Sequence, residues 1–238
     1  MTLQLVQITD THISLDAPQR MKDLENCIKA INELPVQPDL VIHTGDIAHT
    51  GQAEEYHIAK QLLDQLNTPY FVIPGNRDRR AGILSEFIDE RYQLPPQGWI
   101  QYSIEQYPVR LLMVDTLDEQ NNKGHLCAER LEHLETMLLA DTTKPTALFL
   151  HHPPYEATGI PDPFQYKDWN DVGKLHSLLS RFDNICGMYC GHVHRFIDGT
   201  IAGVQASAIS CMAGDLRKGE VSDADRKLPV FKTLTLPG

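Results

Sequence analysis

Short apolar runs along this chain end, one after another, in side chains that carry a carboxylate, an amide or an imidazole. Five such positions follow apolar runs, and their residues are Asp10 and His12, Asp46, Asn76, His151 and His152, and His192 and His194. Helical patterns lie between most of the runs, which favours an α/β fold. Ligands bind outside the carboxyl ends of the strands in open α/β sheets. We therefore expect these side chains to form one site.

The predicted elements cover most of the chain. We expect strands at residues 3–9, 39–46, 70–76, 100–106, 109–115, 146–152 and 185–192, and helices at 20–34, 52–66, 81–91, 127–140 and 170–181. From Arg195 onward, short β-like runs alternate with glycine turns. The chain has no long internal repeat and no low-complexity linker, so residues 1–238 are predicted to form a single domain.

Composition excludes several classes of protein. The net charge of −11 argues against a general nucleic-acid surface, which would be basic. No window approaches about 18 uninterrupted apolar residues, so we expect no membrane contact through a spanning helix. The first ten residues lack the basic start and long apolar stretch of a signal peptide. The five cysteines show no zinc-ribbon spacing, and Cys186 and Cys190, which lie inside an apolar run, are expected to be buried thiols. A reducing cytoplasm fits this pattern.

The residues at the strand ends share a ligand chemistry. Each one alone is usually a turn former, a helix cap or an ordinary polar residue, but their joint order after apolar runs is not explained by turns. Carboxylates, amide oxygens and imidazoles suit Mn²⁺, Fe, Co²⁺ or Zn²⁺ better than thiolate-binding ions. Seven ligands are too many for one ion and suffice for two if one carboxylate bridges them. Two such ions can clamp a phosphoryl group and activate water.

The order of these motifs resembles that of the calcineurin-like metallophosphoesterases. The matching segments are Asp10-Thr-His12, Gly45-Asp46 through Gly51, Gly75-Asn76-Arg77-Asp78, His151, and Gly191-His192-Val-His194. The resemblance covers about residues 5–200. It implies an α/β fold in which a two-sheet β-sandwich is flanked by helices in four layers, and a single catalytic domain.

The resemblance also implies roles for individual residues. Asp10, His12 and His194 would hold a first metal ion, Asn76, His151 and His192 would hold a second, and Asp46 would bridge them. Hydroxide held by the metals would attack phosphorus in line. The segments "HHPP" at 151–154, "GHLCAERLEHLE" and "SAISCMAGDL" are similar to the branch that contains class III cyclic-nucleotide phosphodiesterases and glycerophosphodiesterases.

Arg77 departs from the family pattern, which usually has histidine after Gly-Asn. An arginine stays protonated at any working pH and is a poor proton donor, but it binds phosphate oxygens well. One hypothesis is that Arg77 clamps a phosphate oxygen while Asp78 orients it, and that water, a metal or His152 protonates the leaving group. The alternative is that Arg77 pairs only with Asp78 and points away. The predicted catalytic residues are thus Asp46, Asn76, Arg77, Asp78 and His152, and Asn76, Arg77 and His152 are predicted to bind substrate.

Other residues near these motifs have two interpretations each. Arg77, Arg79 and Arg80 form a basic cluster that serves a second phosphate or nucleotide, or else pairs with Asp78, Glu86 and Asp89 in a solvated loop. His43 is expected to be structural, and His49 to line the site. The loop at residues 155–169 is expected to wall the pocket, and its aromatic residues either stack on a base or pack in the core; they are Tyr155, Phe164 and Trp169.

The sequence therefore predicts a two-metal phosphodiesterase that acts on a small-molecule phosphodiester of the cyclic-nucleotide or glycerophosphodiester type. A phosphomonoesterase of the same fold is the alternative. The acidic charge disfavours a nuclease and contact with nucleic acid, and the complete ligand set disfavours a non-catalytic protein-binding scaffold. By analogy with the same branch of the family, a homodimer is expected.

Overall fold

The computed structural model describes residues 2–159 and 164–238 and contains two β-sheets with helices outside them. The strands, in chain order, are β1 (Thr2–Ile8), β2 (Leu40–His43), β3 (Tyr70–Val72), β4 (Tyr102–Ile104), β5 (Arg110–Val114), β6 (Thr146–Leu150), β7 (Ile185–Cys190), β8 (Ile197–Ile201), β9 (Val204–Ala208) and β10 (Lys232–Pro237). The α-helices are α1 (Gln19–Asn32), α2 (Ala53–Leu63), α3 (Arg80–Glu86), α4 (Ala128–Leu139) and α5 (Trp169–Leu179).

Both sheets are mixed. The first has the order β10-β1-β2-β3, in which β1, β2 and β3 are parallel and β10 is antiparallel to β1. The second has the order β4-β5-β6-β7-β9-β8, with parallel strands at its centre and an antiparallel strand at each edge. Helical crossovers join the parallel strands except β7 and β9, which are connected through β8. The predicted α/β fold of two sheets flanked by helices is confirmed.

Both faces of the second sheet are buried, and successive side chains of its strands point to opposite faces. On β5, Leu111 and Met113 pack into the core shared with the first sheet, whereas Leu112 and Val114 pack into a second core with α4 and α5. Helices α1, α2 and α3 contribute to the core of the first sheet. Two apolar layers therefore hold the carboxyl ends of both sets of parallel strands in place.

Four of the five helices lie close to their predicted bounds, but α3 is shorter than the predicted helix at residues 81–91. It ends at Glu86 because Asp89 forms a turn of its own. The Asp89 carboxylate accepts a hydrogen bond from the backbone N–H of Arg91, and the Tyr92 N–H donates to the Asp89 carbonyl. Aspartate competes with helical hydrogen bonding in this way at turns.

Among the described residues, no helix has the length and apolar character needed to cross a membrane. The organisation of residues 1–238 as a single domain stays a prediction.

A buried hydrogen bond joins the two sheets near their edge. The Tyr102 hydroxyl, on β4, donates to the Val72 carbonyl, on β3, at 2.8 Å, and the Tyr102 side chain is almost wholly buried. The ring also packs against Phe71 and Tyr92. Loss of this bond leaves a buried carbonyl without a partner, which costs more than the bond itself contributes.

We predict that Tyr102→Phe lowers the free energy of unfolding by about 1–3 kcal/mol, because the buried Val72 carbonyl loses its donor. Tyr107→Phe is the matched control, since the Tyr107 hydroxyl donates to the Asp39 carbonyl at only 3.4 Å in a more exposed setting. Urea unfolding of the two variants measures the difference. Equal losses in both variants would contradict a role for the Tyr102 bond in joining the sheets.

Candidate metal centre

The predicted ligands lie in loops with an unusual backbone. Five of them adopt the left-handed conformation: φ is 54° at Asp10, 44° at His12, 55° at Asp46, 73° at His192 and 57° at His194. Such residues cost about 1–3 kcal/mol each and persist where the surrounding structure forces them. Their concentration at one edge of the two sheets indicates a functional site. The sequence pattern did not predict this backbone strain.

Backbone hydrogen bonds lock the first two ligand loops together. The Asp10 N–H donates to the Gly45 carbonyl and the His12 N–H to the Asp46 carbonyl, both at 2.9 Å. His43 is buried between the loops, with its Nε2 3.0 Å from Thr11 Oγ1 and its Nδ1 accepting from the Gly45 N–H. Its contacts are those of a structural residue, as expected.

The first ligand group consists of Asp10, His12, Asp46 and His194, whose ligand atoms all lie within 4.8 Å of one another. His12 Nε2 is 3.2 Å from His194 Nε2, and Asp10 Oδ1 is 3.3 Å from His194 Nε2. Asp10 Oδ1 is buried and receives no hydrogen bond from the described residues. A buried carboxylate oxygen without a donor is costly, and a cation in this group would satisfy it.

The second ligand group consists of Asn76, His151 and His192. Asn76 Oδ1 lies 2.8 Å from His192 Nδ1 and 3.2 Å from His151 Nε2. Asp46 connects the two groups, because its Oδ2 is 3.5 Å from His12 Nε2 and 3.6 Å from His151 Nε2. The structure thus brings together all seven residues predicted to bind metal.

Hydrogen bonds on the outer side of three imidazoles fix which nitrogen faces the site. His151 Nδ1 is 2.7 Å from the Thr44 carbonyl, His194 Nδ1 is 2.9 Å from the Leu216 carbonyl, and His192 Nε2 is 3.1 Å from the Phe164 carbonyl. Each of these nitrogens donates its proton to a carbonyl. The opposite nitrogen therefore faces the ligand group and can offer its lone pair to a metal ion, which displaces any proton held there.

Charges in the site support the same conclusion. Burial opposes the charged form of His151, but the Asp46 carboxylate outweighs it and raises the pKa of His151 to about 9. Burial likewise opposes ionisation of Asp10, yet the neighbouring His194 holds the pKa of Asp10 well below its usual range. Burial lowers the pKa of His12 to about 3. The carboxylates therefore remain charged and attract positive charge, and their oxygens and the imidazole nitrogens fit a metal ion.

The Asp78 carboxylate binds the backbone of the ligand loops and does not bind the side chain of Arg77. Its buried carboxylate accepts hydrogen bonds from the backbone N–H groups of Gly75, Ile47 and Ala48, at 2.8, 3.2 and 3.1 Å. No ion pair joins Asp78 to Arg77 within the described parts of the chain. Both the expected orientation of Arg77 by Asp78 and the alternative pairing of the two are therefore wrong, because three backbone donors occupy this carboxylate.

Arg77 instead presents an exposed side chain at a cavity beside the ligand groups. Its backbone N–H donates to Asp46 Oδ1 at 2.7 Å, while its guanidinium forms no hydrogen bond or ion pair with any described residue. The cavity has a volume of about 640 Å³ and is also lined by Asn76, by His49 as expected, and by residues 119–122. The position of Arg77 at the cavity is consistent with contact to a substrate.

The predicted ion pairs of the basic cluster are also wrong. Arg80 pairs with Asp115 at 2.7 Å and with Glu119 at 3.7 Å. Glu86 lies against His57, and Asp89 pairs with Arg91. Sequence proximity did not indicate Asp115, which follows β5 in the other sheet.

His152 is fully buried, and its ring lies beside those of His151 and His192. Its Nδ1 is 2.8 Å from Thr116 Oγ1, and its Nε2 forms no hydrogen bond with a described residue. Its ligand nitrogen lies within 4.8 Å of those of His151 and His192. This burial favours a supporting position over direct contact with substrate in the cavity, and the predicted catalytic role of His152 stays a prediction.

The aromatic residues of the loop at 155–169 have different environments, and residues 160–163 of this loop lie outside the described residues. Tyr155 is buried and its hydroxyl donates to the Ile197 carbonyl, so it packs in the core. Phe164 and Trp169 are about half exposed. The Phe164 carbonyl accepts a hydrogen bond from His192, which places Phe164 beside the site.

Cys211 was missed by sequence reasoning as a neighbour of the site. Its sulfur lies within 4.8 Å of the ligand nitrogens of His12 and His194, and it donates to the Asp10 carbonyl at 3.1 Å. The segment around it contributes further contacts, because the Ala213 N–H also donates to the Asp10 carbonyl. Only the segment "SAISCMAGDL", which contains it, was singled out from the sequence.

Comparison with known families identifies the class of protein. The family model described as "Calcineurin-like phosphoesterase" matches residues 3–196. The chain belongs to this family. The predictions of the family and of a phosphoric ester hydrolase are thereby confirmed.

Curated relatives are phosphodiesterases by name. The chain is 35% identical to a probable glycerophosphodiester phosphodiesterase GpdQ of Arcobacter nitrofigilis, over 80% of this chain and 71% of that protein. It is 32% identical to a glycerophosphodiester phosphodiesterase GpdQ of Enterobacter lignolyticus, over 80% and 70%. It is 25% identical to the 3′,5′-cyclic adenosine monophosphate phosphodiesterase CpdA of Escherichia coli K12, over 82% and 71%.

Solved structures share the fold at low sequence identity. A dimetal phosphatase from Danio rerio superposes with a TM-score of 0.73 at 15% identity, over 88% of each chain. A purple acid phosphatase from yellow lupin superposes with a TM-score of 0.66 at 14% identity, over 88% of this chain and 44% of the other. These likenesses concern the fold alone.

We predict that Gly75→Ala reduces metal binding. A Cβ at position 75 would overlap the backbone nitrogen and the carboxylate of Asp46, so the residue between the two ligand groups must move. The affinity for Mn²⁺, obtained from the metal content of the variant after equilibration with graded Mn²⁺, is expected to fall by about 10–100-fold, as when the residues that position metal ligands are changed.

Gly173→Ala is the matched control for this variant. A Cβ at Gly173, on the exposed face of α5, meets no atom within 4 Å. This control should retain its metal and gain about 0.5–1 kcal/mol of stability from the higher helix propensity of alanine. Full metal content in Gly75→Ala would contradict the close fit at Asp46.

Proposed function

We propose that this protein is a two-metal phosphodiesterase that hydrolyses small phosphodiesters. The observation that carries the proposal is the position of Asp46 Oδ2, which lies 3.5 Å from an imidazole of the first ligand group and 3.6 Å from one of the second. One carboxylate oxygen at similar distances from both groups suits a bridge between two ions. Membership in the phosphoesterase family supports the same reading.

The ligand groups divide the metal-binding residues between two ions. Asp10, His12 and His194 would hold one ion, Asn76, His151 and His192 would hold the other, and Asp46 would contact both. The oxygen and nitrogen donors suit Mn²⁺, Fe, Co²⁺ or Zn²⁺. Two ions of this kind, when bound, polarise a phosphoryl group and lower the pKa of water.

The proposed substrate class rests on the named relatives. Two are named for glycerophosphodiesters and one for cyclic adenosine monophosphate, so a small diester of either type is the leading candidate. The net charge of −11 disfavours a long polyanion such as nucleic acid.

Arg77 is proposed to hold a non-bridging phosphate oxygen. Its side chain reaches the cavity that Asn76 also lines, and its guanidinium is not engaged by any described acid. A guanidinium binds phosphate oxygens and stabilises charge that develops in the transition state, but it does not supply a proton at neutral pH. His49 also lines the cavity, and burial together with the nearby charges of Arg20 and Arg77 lowers its pKa.

We predict that chelator-stripped protein reloaded with Mn²⁺ hydrolyses bis-p-nitrophenyl phosphate with a higher kcat/KM than p-nitrophenyl phosphate. The reason is the single negative charge of a diester, which matches one clamp at Arg77. Release of p-nitrophenolate measures both rates in parallel, and protein kept in chelator is the control.

Preference for the monoester would instead assign a phosphomonoesterase, with Arg77 holding a dianionic phosphate. Turnover of neither ester by protein that retains two ions per chain would show that the proposed substrate class is wrong.

We predict that Arg77→Ala lowers kcat/KM for bis-p-nitrophenyl phosphate by about 10–1000-fold, because one donor to the transition-state charge is lost. Arg77→Lys should recover part of the loss through its charge but not through paired N–H donors. Steady-state kinetics with equal metal content in each variant separates this effect from loss of the site.

Arg91→Ala is the control for the Arg77 variants, since Arg91 is exposed and pairs with Asp89 on the surface. Unchanged kinetics in Arg77→Ala would remove Arg77 from the proposed machinery. The expected homodimer and cytoplasmic location remain predictions.

A further inference from the structure

We propose that Arg79 and the wall of the cavity beside it bind a second anionic group, carried by the alcohol portion of the substrate. The inference rests on the proposed phosphodiesterase function and names a narrower substrate class: diesters in which one alcohol bears a phosphate or a carboxylate. Arg79 lies two residues beyond Arg77 and lines the same cavity.

Contacts with the protein restrict the exposed Arg79 side chain. Its backbone N–H donates to the hydroxyl of Tyr56, a buried residue, at 2.6 Å, and its Nη1 donates to the Asp78 carbonyl at 3.1 Å. The aliphatic part passes over Gly51, where an added Cβ would lie 2.8 Å from Arg79 Cγ. Such contacts reduce the entropy that the guanidinium loses when it binds an anion.

The positive charge of Arg79 is not neutralised by a described carboxylate. Neighbouring arginines with buried stems are paired: Arg80 with Asp115, and Arg20 with Asp215, each at 2.7 Å. Glu119, the acid on the cavity wall, accepts from the Arg80 backbone N–H and lies near the Arg80 guanidinium. In a chain with a net charge of −11, Arg77 and Arg79 therefore create a local positive potential at the cavity.

The remaining lining is mostly polar. Gln120, Asn121 and Asn122 also line the cavity, and no Phe, Tyr or Trp side chain belongs to the lining among residues 2–159 and 164–238. Amides that donate hydrogen bonds suit phosphate or carboxylate oxygens, whereas a nucleobase would need an aromatic face on which to stack. A volume of about 640 Å³ accommodates a short polyol with a terminal anion.

Three diesters with the same glycerophosphoryl group test the proposal on full-length protein reloaded with Mn²⁺. The probes are glycerophosphocholine, with a cationic alcohol, glycerophosphoglycerol, with an uncharged alcohol, and glycerophosphoglycerol phosphate, with an anionic alcohol. Hydrolysis is followed by mass spectrometry of the products, and the dissociation constant of each probe is measured by calorimetry on metal-free protein.

The expected result is an order of kcat/KM of anionic over uncharged over cationic alcohol, with about 10–100-fold between the first two, as for a charge-assisted hydrogen bond. Arg79→Ala should bring the ratio of anionic to uncharged diester close to one, and Arg79→Lys should retain part of it. Arg181→Ala, which removes an equal charge at a surface pair with Glu135, should leave the ratio as in the unmodified protein.

Equal kcat/KM for the anionic and uncharged diesters, or a preference that Arg79→Ala leaves intact, would overturn the second anion site while the phosphodiesterase function stands. Hydrolysis of none of the three probes would instead contradict the proposed function. In that case the dissociation constants decide on Arg79, because tighter binding of the anionic probe that depends on Arg79 supports the site, and equal binding rejects it.

Discussion

The carboxylate of Asp46 is the contact on which the whole site depends. One of its oxygens is fixed by the backbone N–H of Arg77, which leaves the other between imidazoles from both sheets. That geometry needs the loop after β2 and the loop after β3 to touch, and only a glycine at position 75 leaves the space. Ligand loops from both sheets therefore meet at this side chain.

Asp78 makes that contact possible by satisfying backbone donors. The sharp turns at the ends of β2 and β3 leave the N–H groups of Ile47, Ala48 and Gly75 directed inward, where an unpaired donor would be costly. A single buried carboxylate accepts all three. Burial and the nearby charge of Asp46 raise the pKa of Asp78 to about 7, so it is held in place at an electrostatic cost. A cation beside Asp46 would reduce that cost.

The sequence predicted the parts of the fold and site that follow from short-range patterns. Apolar runs located the central strands, and the polar residues after them, Asp10 through His194, are brought together because parallel strands end at a common edge. The partners of Asp78 and Arg80 could not be predicted. Asp78 binds amides exposed by the strained loops, and Arg80 reaches an aspartate on the other sheet. Both sets of contacts depend on how the two sheets pack, and a local sequence pattern does not predict that packing.

The replacement of histidine by Arg77 has a structural consequence beyond the loss of a proton donor. The Asp78 carboxylate contacts the backbone amides of the loops, so the Arg77 side chain is not held by it and extends into the cavity. Together with Arg79 it gives this edge of an acidic protein a positive wall. A charge that cannot titrate near neutral pH suits recognition better than proton transfer. Under the proposed function, arginine at this position would serve selection of anionic substrates and not acid–base chemistry.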